Sequence, residues 1–152
     1  MQKLLALLVC ALAAAAVTAG HATSGVSCHN INAKGVGQQT GPATTTATIT
    51  GGGLLNGTTD ATFTGFDFTD FPPDLGFTAT LTFTTSHGTL TMALSGTLNV
   101  VTGVFTGSGP VTASTGKLAG ATGTISFEGV QDLVTGAFTE TVAGEICVDL
   151  SP

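Results

Sequence analysis

Few residues in this chain could do chemistry, and the most informative of them is Glu140. In segment 138–142, two threonines alternate with Phe138, Glu140 and Val142. This alternation puts Glu140 on the same strand face as Phe138, Val142 and Ile146, which we expect to point inward. A carboxyl group in an apolar cavity has a raised pKa and can serve as a general acid or base. The alternative is a rim position wetted by solvent, because Glu140 follows Phe138 by only two residues.

The other polar residues form no recognisable catalytic or metal-binding motif. The sequence has no Gly-x-Ser-x-Gly, no zinc-ligand spacing and no phosphate-binding loop, so we expect neither a metal site nor a cofactor. One region of the sequence contains four aspartates whose carboxylate oxygens could serve as calcium ligands, namely Asp60, Asp67, Asp70 and Asp74. Their spacing matches no calcium loop and favours solvated loop acids. His87 is expected to be an exposed turn residue.

The N-terminal segment has the order of a secretory signal peptide. A basic start precedes an apolar run over residues 4–17, and small residues follow it. The run is shorter than the roughly 20 residues that span a bilayer. We therefore predict a signal peptide over 1–19, with residue 22 as the alternative end. Residues 20–152 would form a secreted domain, extracellular or periplasmic, with no membrane span.

The predicted mature domain is acidic. It keeps Lys34 and Lys117, contains no arginine and carries nine carboxylates, which gives a net charge of −7. Because binding a phosphate backbone requires several cations, this balance excludes nucleic acid and anionic membranes as partners. Arginine, tryptophan and tyrosine dominate the energetics of protein interfaces, so their absence disfavours a tight protein partner. The oligomeric state is not indicated.

Two cysteines remain once the signal peptide, which contains Cys10, is removed. Cys28 and Cys147 stand near the two ends of the mature chain. In an oxidising compartment such a pair most simply forms a disulfide. Alternatively, Cys28 and His29 are half of a metal or nucleophile site, although the sequence offers no second histidine–cysteine cluster to complete it.

Two segments alternate between apolar residues and mainly threonine, at 77–84 and 90–98. A period of two puts the apolar side chains on one face of a strand and the threonines on the other. Between the segments, His87-Gly88 suits a two-residue hairpin loop. That loop would pair Phe83 with Met92, so that apolar residues meet on one face.

An internal repeat with an offset of 33 relates residues 94–106 to 127–139. Each copy contains a strand, a turn opened by Asn99 or Asp132, and a glycine four residues later that we expect in the left-handed conformation. Two copies are too few for a solenoid and indicate successive hairpins of one meander.

About eight strands are predicted in all, and no segment outside the signal peptide has helical periodicity. The six further candidates are 27–33, 44–50, 62–68, 107–113, 123–129 and 137–150. Strands at regular spacing with turn signals between them favour an all-β fold. We predict a single antiparallel up-and-down β-barrel of about eight strands, with an interior filled by side chains or holding one small ligand.

One segment, residues 107–129, carries a family resemblance. It contains a glycine-rich element formed by Thr115, Gly116, Lys117, Ala121 and Gly123. The element resembles the Gly-Thr-Gly-x-Phe-x-x-Ala-x-Gly link between two barrel strands in dirigent proteins and allene oxide cyclases, and a similar turn in uncharacterised secreted bacterial proteins. Ser114 replaces the first glycine and Leu118 the phenylalanine. The resemblance implies an eight-stranded barrel with a central cavity.

The resemblance does not extend to an activity. Dirigent sites are described around acidic, arginine and tyrosine side chains, and the mature chain has neither arginine nor tyrosine. We expect a non-catalytic module that binds a small apolar ligand or an extracellular partner. The candidate ligand contacts are Phe77, Phe83, Phe105 and Phe138. The alternative is an isomerase-like, cyclase-like or dirigent-like enzyme with Glu140 as its inward acid, and a cavity above roughly 300 Å³ would support either function.

Overall fold

A computed structural model of the protein describes residues 25–151, and the predicted signal peptide lies outside the described residues. These described residues form eight strands: β1 (Ser27–Gly41), β2 (Thr44–Thr50), β3 (Gly57–Asp67), β4 (Asp74–Thr85), β5 (Gly88–Asn99), β6 (Val104–Ser114), β7 (Thr122–Gln131) and β8 (Ala137–Val148). Two 3₁₀ turns, Gly53–Leu55 and Gly116–Leu118, lie in the β2–β3 and β6–β7 connections. Among the described residues, no helix is long and apolar enough to span a membrane.

The strands form a closed antiparallel barrel in which each pairs with its neighbours in the sequence and β8 returns to β1. The predicted all-β, up-and-down barrel is therefore confirmed. β4 shows the alternation that builds it: Ala79, Leu81 and Phe83 are buried, whereas Thr78, Thr80 and Thr84 are exposed. Within the described residues, closure pairs the first strand with the last, so that neither forms an open sheet edge.

The β4–β5 hairpin differs from the predicted register by two residues. Phe83 pairs with Leu90 and not with Met92, because the loop consists of Ser86 and His87 and not of His87 and Gly88. The Thr85 hydroxyl holds this loop by accepting the His87 N–H and donating to the Gly88 carbonyl, both at 3.0 Å. A shift of two residues keeps every side chain on its predicted face.

The role of Gly88 explains why the sequence pattern predicted the wrong loop residues. It has a φ of +131°, but it lies in a strand, paired with Thr85, and not in the turn. A Cβ at Gly88 would collide with the backbone carbonyl of Thr115 in the β6–β7 connection. The glycine therefore serves a close approach between two chain segments.

The repeat of 33 residues is confirmed as two equivalent hairpin turns, β5–β6 and β7–β8. The Asn99 side chain accepts the N–H groups two and three residues later, and Asp132 does the same in the second copy. Gly103 and Gly136 have φ values of 75° and 76°, as expected for left-handed residues. Equal spacing thus produces equal turn geometry.

A disulfide joins Cys28 to Cys147, which face each other in the β1–β8 register. It links the first and last strands where the barrel closes and confirms the predicted pairing. Since both sulfurs are bonded, the alternative metal or nucleophile site at Cys28 and His29 is wrong. The His29 ring instead forms a hydrogen bond with the Ser27 hydroxyl.

β1 is longer than predicted, because it continues to Gly41 whereas the candidate strand ended at residue 33. In the added part, Lys34 and Val36 face outward and Gly35 and Gly37 face inward. Alternation with glycine on the inner face has no hydrophobic signature, so the pattern does not reveal the strand. The inner space over these two glycines is occupied by the side chains of Glu140 and Phe138, which belong to the site described below.

Candidate functional site

The inside of the barrel is divided into a filled end and an open end. At the filled end, a dense core includes Ile49, Leu90, Ile125 and Ile146, each at most 1% exposed. Leu55 and Leu118, from the two 3₁₀ turns, are fully buried in the same core. Leu118, which stands in place of the phenylalanine in the glycine-rich element, thus helps to close this end of the barrel.

The open end contains a cavity of about 270 Å³. It extends to the end that carries the β1–β2, β3–β4, β5–β6 and β7–β8 connections. Six of the nine phenylalanines line it: Phe63, Phe66, Phe77, Phe105, Phe127 and Phe138. The lining also includes four leucines, at 75, 81, 94 and 98. Its polar side chains are Gln39, Thr45, Gln131 and Glu140.

Glycines on neighbouring strands make room for these large side chains. Phe138 pairs with Gly37, and a Cβ on that glycine would collide with the Phe138 ring. Phe105 pairs with Gly129, where a Cβ would lie 2.5 Å from the ring. Phe77 pairs in the same way with Gly96. The rings therefore lie along the wall above a glycine, which leaves the middle of the barrel free.

Contacts between rings fix the orientation of the lining. Phe63 and Phe77 meet edge to face with their centroids 5.2 Å apart, and Phe105 and Phe138 do so at 5.9 Å. Such edge-to-face pairs add stability beyond the area that they bury. The cavity wall is thus preorganised by aromatic packing on two sides.

Glu140 points into this cavity, as the alternation predicted. It pairs with Gly35 on β1 and Gly129 on β7, and a Cβ on Gly35 would lie 2.6 Å from the Glu140 side chain. Its carboxylate forms no hydrogen bond with any described residue. Burial raises the Glu140 pKa from 4.5 to about 7, because an apolar environment disfavours the charged form. The carboxyl group is therefore present in both protonation states near neutral pH.

The remaining polar groups of the lining lie near the mouth. The Gln131 amide donates to the Gln39 side-chain oxygen at 3.1 Å, which links β7 to β1 across β8. The Gln38 amide, on the outer face, donates to the Thr135 carbonyl. These amides fix the rim but supply no charge to the cavity.

Three of the four candidate ligand contacts line the cavity, namely Phe77, Phe105 and Phe138. Phe83 is fully buried, is not among the lining residues and stacks on Phe127 at 6.2 Å. It lies three residues from the β4–β5 turn, at the filled end. Alternation assigned the correct face to Phe83 but could not assign its depth along the barrel axis.

Sequence reasoning missed Phe63, Phe66 and Phe127, as well as both glutamines. Phe127 was recognisable as the repeat partner of Leu94, which also lines the cavity. Phe63 and Phe66 are separated by a bulge in β3, which interrupts simple alternation. The glutamines are remote in the sequence, and only the closure of the barrel brings them together.

The aspartates expected in loops form local hydrogen bonds. Asp67 accepts from the backbone and side chain of Thr69, which lowers its pKa. Asp132 accepts the Thr135 and Val134 N–H groups, which lowers its pKa in the same way. Within residues 25–151, the only group of three possible metal ligands is Cys28, Cys147 and Glu145, and both of its sulfurs are in the disulfide. His87 is half-buried in its turn beside Ser86.

Comparison of the chain with protein-family models, curated proteins and solved structures finds no match. The resemblance to dirigent proteins and allene oxide cyclases therefore remains a prediction from residues 107–129.

Proposed function

We propose that the protein binds a small, mainly apolar ligand in the cavity at the open end of the barrel. The observation that carries this proposal is an aromatic cavity that persists beside a fully packed core. Protein interiors are normally filled to the density of organic crystals, so a preorganised cavity of this size needs an explanation. An occupant that completes the packing provides one.

The cavity volume limits the size of that ligand. About 270 Å³ is slightly below the usual range of roughly 300–1,000 Å³ for ligand pockets. However, an apolar cavity of about 150 Å³ is sufficient to bind benzene. The ligand is accordingly about the size of one aromatic ring with a short substituent, and is much smaller than a sterol or a fatty acid.

The proposed location of the protein is outside the cytoplasm. A disulfide between the terminal strands is stable in oxidising compartments and rare where thiols are kept reduced. The order of residues 1–19 independently indicates export. Both features suit a carrier or scavenger of small molecules in the extracellular or periplasmic space.

An isomerase-like or cyclase-like enzyme is the second candidate, because Glu140 has a pKa close to the operating pH of a general acid or base. Against it, no described side chain is hydrogen-bonded to the carboxylate to orient it, and no described cationic side chain lines the cavity to stabilise a developing negative charge. Binding without catalysis therefore has the stronger support.

A cavity-filling variant tests the proposed function. Gly107 lines the cavity, and a Cβ there would meet its nearest neighbour, the Phe77 ring, at an ordinary 3.5 Å. We expect propylbenzene to bind the wild-type protein and to shift the NMR resonances of the lining residues. Gly107→Leu should abolish binding by occupying the space.

The matched control is Ser108→Leu, which introduces the same side chain one residue later on the exposed outer face of β6. It should bind propylbenzene as the wild type does. Failure of the wild-type protein to bind propylbenzene and other alkylbenzenes at their solubility limit would overturn the proposed function. Binding that survives unchanged in Gly107→Leu would place the ligand outside the cavity and would likewise overturn it.

A further inference from the structure

Among the described residues, the cavity lining contains an acidic side chain but no basic one. Among the residues that the structure describes, Glu140 is the only charged side chain that lines the cavity. Lys34 on β1 and Glu128 on β7 flank the Glu140 position on the neighbouring strands, but both point to the outer face and are exposed. Lys117 lies in the 3₁₀ turn at the filled end. The cavity thus carries a negative charge, or a proton in its place, and no described positive group faces it.

Within the described part of the chain, the Glu140 carboxylate also has no hydrogen-bond partner. The two glutamines of the lining are bonded to each other at the mouth, and no described donor reaches the carboxylate. A carboxylate that an apolar lining largely shields from water is costly unless a cation or several hydrogen bonds compensate it. This unmet requirement makes Glu140 the natural contact for a ligand group of opposite charge.

The surroundings of Glu140 favour the same kind of ligand. Phe105, Gly129 and Glu140 lie in one row across β6, β7 and β8, and the Phe105 ring lies over the glycine, so that it extends from β6 toward the strand that carries Glu140. Phe138 is two residues before Glu140 on the same face and packs edge to face on Phe105. The faces of aromatic rings carry partial negative charge and attract ammonium groups within about 6 Å.

We propose that the ligand is a small hydrophobic amine, bound as its ammonium ion between the Glu140 carboxylate and the rings of Phe105 and Phe138, with its apolar body against the other aromatic side chains. This inference rests on the proposed function and specifies its ligand class. A neutral ligand would use the same cavity but would leave the carboxylate unpaired. An anionic ligand would meet a like charge with no described cation nearby.

Three ligands of matched shape test how the charge of the ligand affects its affinity. 2-Phenylethylamine, 2-phenylethanol and propylbenzene have nearly the same shape and differ in their terminal group. We expect calorimetry at about pH 8 to show that the wild type binds the amine about tenfold or more tightly than the alcohol. This preference should shrink at about pH 5.5, because Glu140 is then protonated. Glu140→Gln should remove it, whereas Glu128→Gln should keep it.

Proton release provides a second measurement that needs no variant. At pH 7, pairing with the ammonium ion should ionise Glu140 and release up to about half a proton for each amine bound. Calorimetry in two buffers of different ionisation enthalpy measures this release. The alcohol should release none.

The outcomes separate this inference from the proposed function. Equal affinity for amine and alcohol at about pH 8, or a preference that persists in Glu140→Gln, would overturn the amine assignment and leave the apolar cavity as a binding site. If none of the three probes binds the wild-type protein, both proposals fail. Release of protons with the alcohol as well as with the amine would show that filling the cavity, and not charge, ionises Glu140.

Discussion

The two ends of the barrel are built from the same alternating strands, yet one is packed solid and the other encloses a cavity. At the filled end, the inner positions include Phe83, Ile125 and Ile146, and two connections each insert a leucine, Leu55 and Leu118. At the open end, the β5–β6 and β7–β8 turns are held by Asn99 and Asp132 and insert nothing. The connections decide which end of the barrel is closed.

Glycines occur on the inner face at both ends, so the wall positions alone do not produce this contrast. At the open end, the Phe138 ring lies over Gly37 of β1. At the filled end, Ile125 pairs with Gly109 and Gly144 on its two neighbouring strands. Alternation therefore selects the face of a side chain, whereas the connections decide how much of the interior is filled.

The largest expected effect concerns the leucine that closes the filled end. Leu118→Ala should lower the free energy of unfolding by about 3–4 kcal/mol, because it removes fully buried atoms and leaves a cavity in a rigid core. Val134→Ala, in the turn at the opposite end, should change it by less than about 0.5 kcal/mol, because Val134 is 94% exposed. Urea unfolding of both variants measures the difference, and similar losses would show that the two ends do not differ as described.

The second effect concerns the pH dependence of the free energy of unfolding that Glu140, at the open end, causes. Its folded pKa of about 7 exceeds the ordinary value of 4.5, so the folded state favours the protonated carboxyl group. The stability that this group contributes is complete below about pH 4.5 and is lost as the pH rises to about 7. Glu140→Gln cannot ionise and should gain about 2–3 kcal/mol relative to the wild type between about pH 5 and pH 8.

Urea unfolding at several pH values measures this gain. Glu128→Gln, on the exposed outer face of β7, is the control and should follow the wild type throughout. A constant difference between Glu140→Gln and the wild type across the range would mean that burial of the carboxylate is not the cause. The comparison of variants removes the contribution of the loop aspartates, which is common to all of them.

Sequence reasoning reached the fold more readily than the site, and particular residues show why. The repeat at Asn99 and Asp132 could be recognised because turn chemistry is local in the sequence. The face of Glu140 followed from period-two alternation within one strand. In contrast, the depth of Phe83 and the pairing of Gln39 with Gln131 depend on how strands are staggered around the barrel. No local pattern encodes that stagger, and the two-residue error at Gly88 likewise reflects a contact with a segment remote in the sequence, at Thr115.

The glycine-rich part of β1 was the hardest to predict and gives the smallest expected effect. Gly35→Ala places a Cβ 2.6 Å from Cγ and Oε1 of Glu140 and 2.9 Å from the Ile49 side chain. These atoms are the movable parts of side chains, so we expect a loss of about 1–2 kcal/mol, at the low end for overpacking. In a double-mutant cycle, the loss should fall in the Glu140→Ala background, because the main obstacle is gone. An unchanged loss in that background would mean that the backbone of β1 needs glycine for its own conformation, and that the room beneath Glu140 is incidental.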